Sequence, residues 1–217
     1  VADTRTYTEL KPSAAYNGWQ GKQFFLSPGN RALVEREAKA ARKLMDFIYE
    51  YDRSLGSPHT IIGIQVENEP DMLPTRHNGS HGYSATDLWP SLLYHLDEMG
   101  KAFKSGKYDC YTRVNQTIEY EDWVYWSKMV AKREGIDYVG FDPYRFTVGD
   151  IERMISSMKE IEGNFAHVAE NGGEAWNNDI LTLKALTMGG GYEVFEVVTT
   201  PHPYIAEYTL RGVYNPD

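Results

Sequence analysis

Two glutamates at the ends of strand-like runs are the residues of this chain best suited to chemistry. The run 61–70, IIGIQVENEP, holds Ile61, Ile62, Ile64 and Val66 and then delivers Glu67, Asn68 and Glu69 together before Pro70. The run 164–173, NFAHVAENGG, holds Phe165, Ala166, Val168 and Ala169 and then delivers Glu170, followed by Asn171, Gly172 and Gly173. Carboxylates at such places are active-site chemistry, because a carboxylate can carry a proton or attack an electrophilic carbon. An apolar run that turns polar only at its end suits a strand of a parallel sheet covered on both faces. Pro70 has no N–H for the ladder, and Asn-Gly-Gly after Glu170 is a turn signal. Both strands are therefore predicted to stop there, at the edge where parallel α/β folds keep their sites. Taken alone, Asn-Glu-Pro is a short motif that fits a helix cap or a solvated loop carboxylate as well.

Helices and strands alternate around these two runs. Residues 27–56 carry a capping Ser27, Pro28 in the first turn, and Val34, Ala38, Ala41, Met45 and Ile48 on one stripe at helical spacing. Glu35, Arg36, Lys39, Lys43 and Asp46 form the opposite, solvated face. A helix is predicted over 87–105, capped by Asp87 with Pro90 near its start, then a strand over 108–116, a helix over 121–135 closed by Gly135, and a strand over 136–144. A helix over 150–162, the strand ending in Glu170, a helix over 178–188 and a strand over 192–199 complete the series. Five strands separated by helices are the pattern of βα units on a parallel sheet. No phosphate-cradling glycine loop opens a helix after any strand. Gly189, Gly190 and Gly191 precede a strand instead, which favours a closed barrel over a dinucleotide-binding fold. The chain reads as one catalytic-type domain, 1–217.

Composition narrows the function. The 217 residues, 41% of them hydrophobic, suffice for one sizeable core. Lys and Arg number 22 against 31 Asp and Glu, a net charge of −9 with no basic run, which argues against a nucleic-acid partner. Aromatics reach 13%, with 16 Tyr and 5 Trp, which suits surfaces that stack on sugar rings and equally suits a tyrosine-rich core. The single cysteine, Cys110, excludes an internal disulfide and a cysteine-based zinc site, and its strand-like surroundings make it a buried structural thiol. His77 and His81 stand four apart, but Asn78, Gly79, Ser80 and Gly82 make that segment a loop instead of a metal-binding helix. No stretch approaches the roughly 18 to 20 apolar residues of a membrane span. The start VADTRTYTEL is neither a signal peptide nor a Met start, so the chain reads as processed or truncated.

With these runs in place, the chain resembles the clan of (β/α)8-barrel retaining glycoside hydrolases that includes β-galactosidases, β-mannanases and endoglucanases. In that clan the fourth strand ends in Asn-Glu, often followed by Pro, and the seventh ends in a second glutamate. Gln65-Val66-Glu67-Asn68-Glu69-Pro70 looks like the former, in particular like the Gln-x-Glu-Asn-Glu of the β-galactosidase branch, and Glu170 fits the latter. The strands over 108–116 and 136–144 then count as the fifth and sixth. The resemblance implies hydrolysis of a β-glycosidic bond with retention, Glu69 serving as acid/base and Glu170 as nucleophile, their carboxyls about 5 to 5.5 Å apart. It further implies that Asn68 holds the hydroxyl beside the anomeric centre and that Tyr144 holds the nucleophile. Trp176 is a candidate stacking wall for sugar, and Asn115, at the end of the fifth strand, a candidate sugar contact. Asp142 and Glu196 are lesser contact candidates, and Glu174 is the rival nucleophile. The implied partner is an oligosaccharide or polysaccharide, without metal, cofactor, nucleic acid or membrane, and the substrate class implies an extracellular or periplasmic protein.

The chain departs from the clan pattern in two places: Asp142 stands where many members carry a histidine two residues before the sixth-strand tyrosine, and the eighth strand lacks the usual tryptophan platform. Nothing like strands one to three precedes the first helix. The expected fold is thus α/β, a (β/α)8 TIM-type barrel that is incomplete, with strands four to eight present and its first half expected as a lost or separate segment. Two other readings compete: a non-catalytic carbohydrate-binding or scaffold protein derived from the same barrel, and a metal-dependent hydrolase or lyase using Asp142, His167 and His202.

Overall fold

The computed structural model describes residues 28–56, 59–72, 85–117, 122–142, 147–161, 163–169 and 175–193. They form helices α1 (Arg31–Ser54), α2 (Ala85–Lys104), α3 (Trp123–Ala131), α4 (Val148–Lys159) and α5 (Ala175–Thr187). Between these run strands β1 (Gly63–Asn68), β2 (Tyr111–Gln116), β3 (Tyr138–Phe141), β4 (His167–Val168) and β5 (Gly191–Tyr192). The strands hydrogen-bond in chain order, β1-β2-β3-β4-β5. β3, β4 and β5 are parallel, with Gly140 opposite His167 and His167 opposite Gly191. Helical crossovers that each return the chain to the edge just vacated produce this unshuffled order. The described residues thus make an α/β architecture. Two compact units divide the chain, 1–114 with 129–137, and 115–128 with 138–217.

In the first unit α1 packs on α2 and α2 on β1. Val34, Ala38, Ala41 and Met45 are buried along one stripe of α1, as their helical spacing predicts, while Ile48 is half-buried. Leu92, Leu96 and Met99 are buried on α2. Each such side chain taken out of water contributes about 1.5–3 kcal/mol. The first helix starts later than predicted: Pro28 and Gly29 form a turn, and Asn30 is the cap, its side chain accepting from the Leu33 N–H at 3.2 Å. Ser27 lies outside the described residues. Asp87 is no cap either, because α2 begins two residues before it and carries Pro90 inside. Gly135 does not close α3 in a left-handed turn. It lies against the backbone of Asp97 and Gly100 on α2, where a side chain would collide, so it is a glycine of close packing.

A buried polar knot ties the start of β1 to α1. The Asp52 carboxylate accepts from the Thr60 N–H, the Thr60 hydroxyl and the Tyr108 hydroxyl at 2.8–3.0 Å, and these bonds hold it below the usual carboxylate range. The Tyr108 oxygen also accepts from the Thr60 and Ile61 N–H groups. β1 corrects the expectation of a strand covered on both faces: Val66 is buried and Ile64 half-buried on one face, where α2 packs, while Gly63 and Gln65 on the other are exposed. Ile62, just before the strand, is 82% exposed. β2 starts at Tyr111, leaving Cys110 just before it, buried and reduced, its thiol pushed up by burial and by the nearby Asp109 and Asp137.

In the second unit α4 packs on α5, and α5 on β5. Thr147 caps α4 and Asp150 completes a reciprocal capping box, so the helix begins at Val148, two residues earlier than its periodicity predicts. Ile151, Met154, Ile155 and Met158 form its buried stripe. Lys159 donates to the Met188 carbonyl at the end of α5, and Gly189 (φ 72°) turns the chain back toward β5, which agrees with a loop reading for Gly189 and Gly190, whereas Gly191 is already the first residue of β5. α5 begins at Ala175, three residues before the predicted start.

Candidate functional site

Each unit carries chemistry-bearing residues at the carboxyl ends of its own strands. In the first unit β1 delivers Glu67, Asn68 and then Glu69, whose φ of 48° makes it a left-handed, non-glycine residue. That conformation costs on the order of 1–2 kcal/mol and marks a place where the surroundings force the backbone. The Glu69 carbonyl accepts from the Met72 N–H at 3.1 Å, closing a turn through Pro70 and the buried Asp71. Glu69 itself is half-buried. Asn68 is exposed, and its side-chain oxygen accepts from Gln65 Nε2 at 2.7 Å, while Gln65 Oε1 accepts from Arg113 on β2 at 3.1 Å. Asn68 and Glu69 are thus adjacent at a strand end, as predicted from the motif.

Behind this strand end stands a histidine that the sequence reading passed over. His95 of α2 places Nε2 3.1 Å from the Glu67 carboxylate and Nδ1 3.7 Å from that of Glu37 on α1. Burial raises the Glu37 carboxyl; His95 pulls it down and Glu67 pushes it up, and the balance is upward. His95 sits among the leucines of an apolar helix face and so gives no signal of its own in the sequence.

In the second unit the end of β2 is polar and buried. Asn115 is 1% exposed, and its Oδ1 has no hydrogen-bond partner. Gln116 accepts from the Ser127 hydroxyl at 2.7 Å, leaving its Nε2 without an acceptor. The Gln116 carbonyl accepts from the N–H of Asp142, also buried, which brings Asn115 and Asp142 to the ends of neighbouring strands. Gly140 makes this possible: a Cβ there would lie 2.7 Å from Ala169 Cβ and 3.0 Å from Asn115 Oδ1. His167 is buried, and its Nε2 lies 3.0 Å from Glu193. Gly140 and Gly191, its register partners on either side, leave room for the ring. The ladder continues to Ala169, whose N–H donates to the Phe141 carbonyl at 2.8 Å; Glu170 is the next residue.

Glu170, Glu174, Tyr144, Glu196, His77, His81 and His202 lie outside the described residues. Trp176 falls in the first turn of α5. Among the described residues no three His, Cys, Asp or Glu side chains gather as metal ligands, and no helix is long and apolar enough to cross a membrane. A cavity of about 280 Å³ in the first unit opens at the opposite, amino ends of the strands, lined by His59, Ile61, Ile62, Lys104, Cys110 and Asp137 among others. Burial would raise Asp137, but the Lys104 ammonium at 2.7 Å and the Thr112 N–H and hydroxyl outweigh it and hold the carboxylate low. That cavity is therefore walled by a satisfied ion pair and an inert thiol, and it is distinct from the Glu69 strand end.

No curated protein matches the chain. A family profile matches residues 92–211, a stretch that begins within α2, contains β2 to β5 and Glu170, and leaves Asn68 and Glu69 ahead of it. Since this covers more than half of the 217 residues, the chain belongs to the family described as a domain of unknown function, DUF4978.

Proposed function

We propose that this protein cleaves a β-glycosidic bond with retention, using Glu69 as acid/base and Glu170 as nucleophile at the carboxyl ends of two parallel strands. The observation that carries the reading is strand order. β1 runs into Asn68 and Glu69, β2 and β3 follow it in hydrogen-bonded succession, and β4 runs through Ala169 to the position where Glu170 begins. That is the spacing of a fourth and a seventh barrel strand.

Glu170, ionised, attacks the anomeric carbon while Glu69 gives its proton to the leaving oxygen, forming a glycosyl ester on Glu170. Glu69 then deprotonates the water that releases the sugar. Two carboxyls about 5 to 5.5 Å apart raise the pKa of one of them, which keeps the proton on Glu69. Asn68 binds the hydroxyl beside the anomeric centre, Tyr144 donates to Glu170, and Trp176 stacks on the sugar. The buried, unsatisfied Asn115 Oδ1 at the end of β2 supplies a further acceptor.

The test uses the full-length protein with aryl β-glycosides and purified polysaccharides. Glu170→Gln should abolish turnover and Glu69→Gln should lose it chiefly for poor leaving groups, with azide restoring the latter as a glycosyl azide. Hydrolysis unchanged in Glu170→Gln refutes the nucleophile assignment. Oligosaccharide binding without turnover in the wild type shifts the reading to a carbohydrate-binding protein on the same fold.

A further inference from the structure

We infer that His95 is a positioning residue for Glu69, acting through Glu67; this rests on the glycosidase reading above. Glu69 holds a left-handed φ of 48° with a full side chain, and such a conformation persists only where contacts on both sides of the residue impose it. On the carboxyl side the Met72 N–H bond to the Glu69 carbonyl and the buried Asp71 fix the turn. On the amino side, side-chain contacts add to the ladder that β1 makes with β2. Asn68 is tied back to Gln65, and Glu67 is tied to His95 Nε2 at 3.1 Å.

His95 is itself immobile. It is 8% exposed, its neighbours Leu92 and Leu96 are buried against α1, and Glu37 flanks the other ring nitrogen at 3.7 Å. The imidazole is thus a rigid peg on a helix that is anchored elsewhere, and Glu67 is the short tether from that peg to the strand end. Without the peg, the half-exposed Glu67 carboxylate faces only the like charge of Glu37 and solvates instead. The strand end two residues before the proton donor keeps its pairing with β2 but loses its side-chain tie to α2. A misplaced acid slows bond cleavage where the leaving group needs a proton and spares reactions where it does not, so the consequence is selective.

The experiment measures kcat/KM of the full-length protein on phenyl and 2,4-dinitrophenyl β-glycosides. His95→Leu keeps the apolar packing and removes both nitrogens; Glu67→Ala cuts the tether at a half-exposed position, where no core packing is removed. Each should lower the phenyl glycoside rate by about 30- to 100-fold and the dinitrophenyl rate by less than about 3-fold. His95→Gln, which returns an N–H at the reach of Nε2, should recover most of the phenyl rate. Equal losses on the two substrates, or no loss on either in Glu67→Ala, overturn the inference. If the wild type hydrolyses neither glycoside, it is the glycosidase reading that fails. The tether is then judged by the crystal structure of Glu67→Ala: departure of Glu69 from the left-handed region supports it, and an unchanged φ refutes it.

Discussion

Gly140→Ala probes the point where packing meets the candidate nucleophile. Its new Cβ would stand 2.7 Å from Ala169 Cβ and 3.0 Å from the buried Asn115 Oδ1, against an ordinary carbon–carbon contact of about 3.5–4.0 Å. Something must therefore move by about 1 Å. None of the neighbours yields easily: Ala169 has no rotamer, its N–H is held by the Phe141 carbonyl, and Asn115 is enclosed. The φ of Gly140 is not in the left-handed region, so alanine suffers no backbone strain there and the effect is steric. Overpacking of this kind costs about 1–3 kcal/mol. Loss of the glycine's freedom in the unfolded chain returns about 0.4–1 kcal/mol, which leaves a net destabilisation of about 1–2 kcal/mol. The displaced residue, Ala169, is bonded to Glu170, and if Glu170 is the nucleophile proposed above, a shift near 1 Å there lowers kcat/KM on the order of 100-fold. Urea denaturation and aryl glycoside kinetics read the two effects. Gly149→Ala, at an exposed position of α4 with its nearest neighbour at 3.8 Å, is the clash-free control and should gain about 0.4–1 kcal/mol, and Ala169→Gly in the Gly140→Ala background should move both quantities back toward wild type. A Gly140→Ala protein within 0.5 kcal/mol of wild type would refute the close approach of β3 and β4 on this face.

Two further outcomes follow from the polar contacts. Tyr108→Phe strips the oxygen that accepts from the Thr60 and Ile61 N–H groups and should destabilise the protein by about 2 kcal/mol in urea titration, mostly through the stranded Ile61 N–H; a change below 0.5 kcal/mol would show that water replaces the hydroxyl. Asp150 is held below the usual carboxylate range by the Thr147 N–H and hydroxyl and by Arg153, burial opposing weakly. Its folded pKa lies under its unfolded one, so its stabilisation is present above about pH 4 and disappears as pH falls through the folded value. Asp150→Asn should be less stable than wild type by about 0.5 kcal/mol at pH 7, allowing for solvent screening, and equal to it near pH 2; a difference that survives at low pH would refute the charge-based account.

How much was legible in the chain depended on how local each cause is. The stripe Val34, Ala38, Ala41 and Met45 and the glutamate-terminated run at β1 were readable because period and strand-end polarity are carried by near neighbours. The cap at Asn30 instead of Ser27, and the start of α2 ahead of Asp87, were misread because several residues in a row offer capping chemistry and only the packed helix selects one. Gly135 was misread because a glycine spared for a neighbour's backbone looks, in sequence, like a glycine that ends a helix. His95 and its contacts to Glu67 and Glu37 were invisible: the partners are 28 and 58 positions away, and the histidine sits on an apolar stripe.

By itself, then, the sequence determined the alternation of helices with strands and the arrival of Asn68 and Glu69 at a strand's end. Those are consequences of composition and of periodicities a few residues long. Only the tertiary structure decided the left-handed turn at Glu69, the histidine behind Glu67, the buried Asn115 beside Gly140, and the open face of β1. Each of these depends on atoms brought together from distant parts of the chain, where side-chain volume and unsatisfied hydrogen bonds, and not local propensity, set the energy.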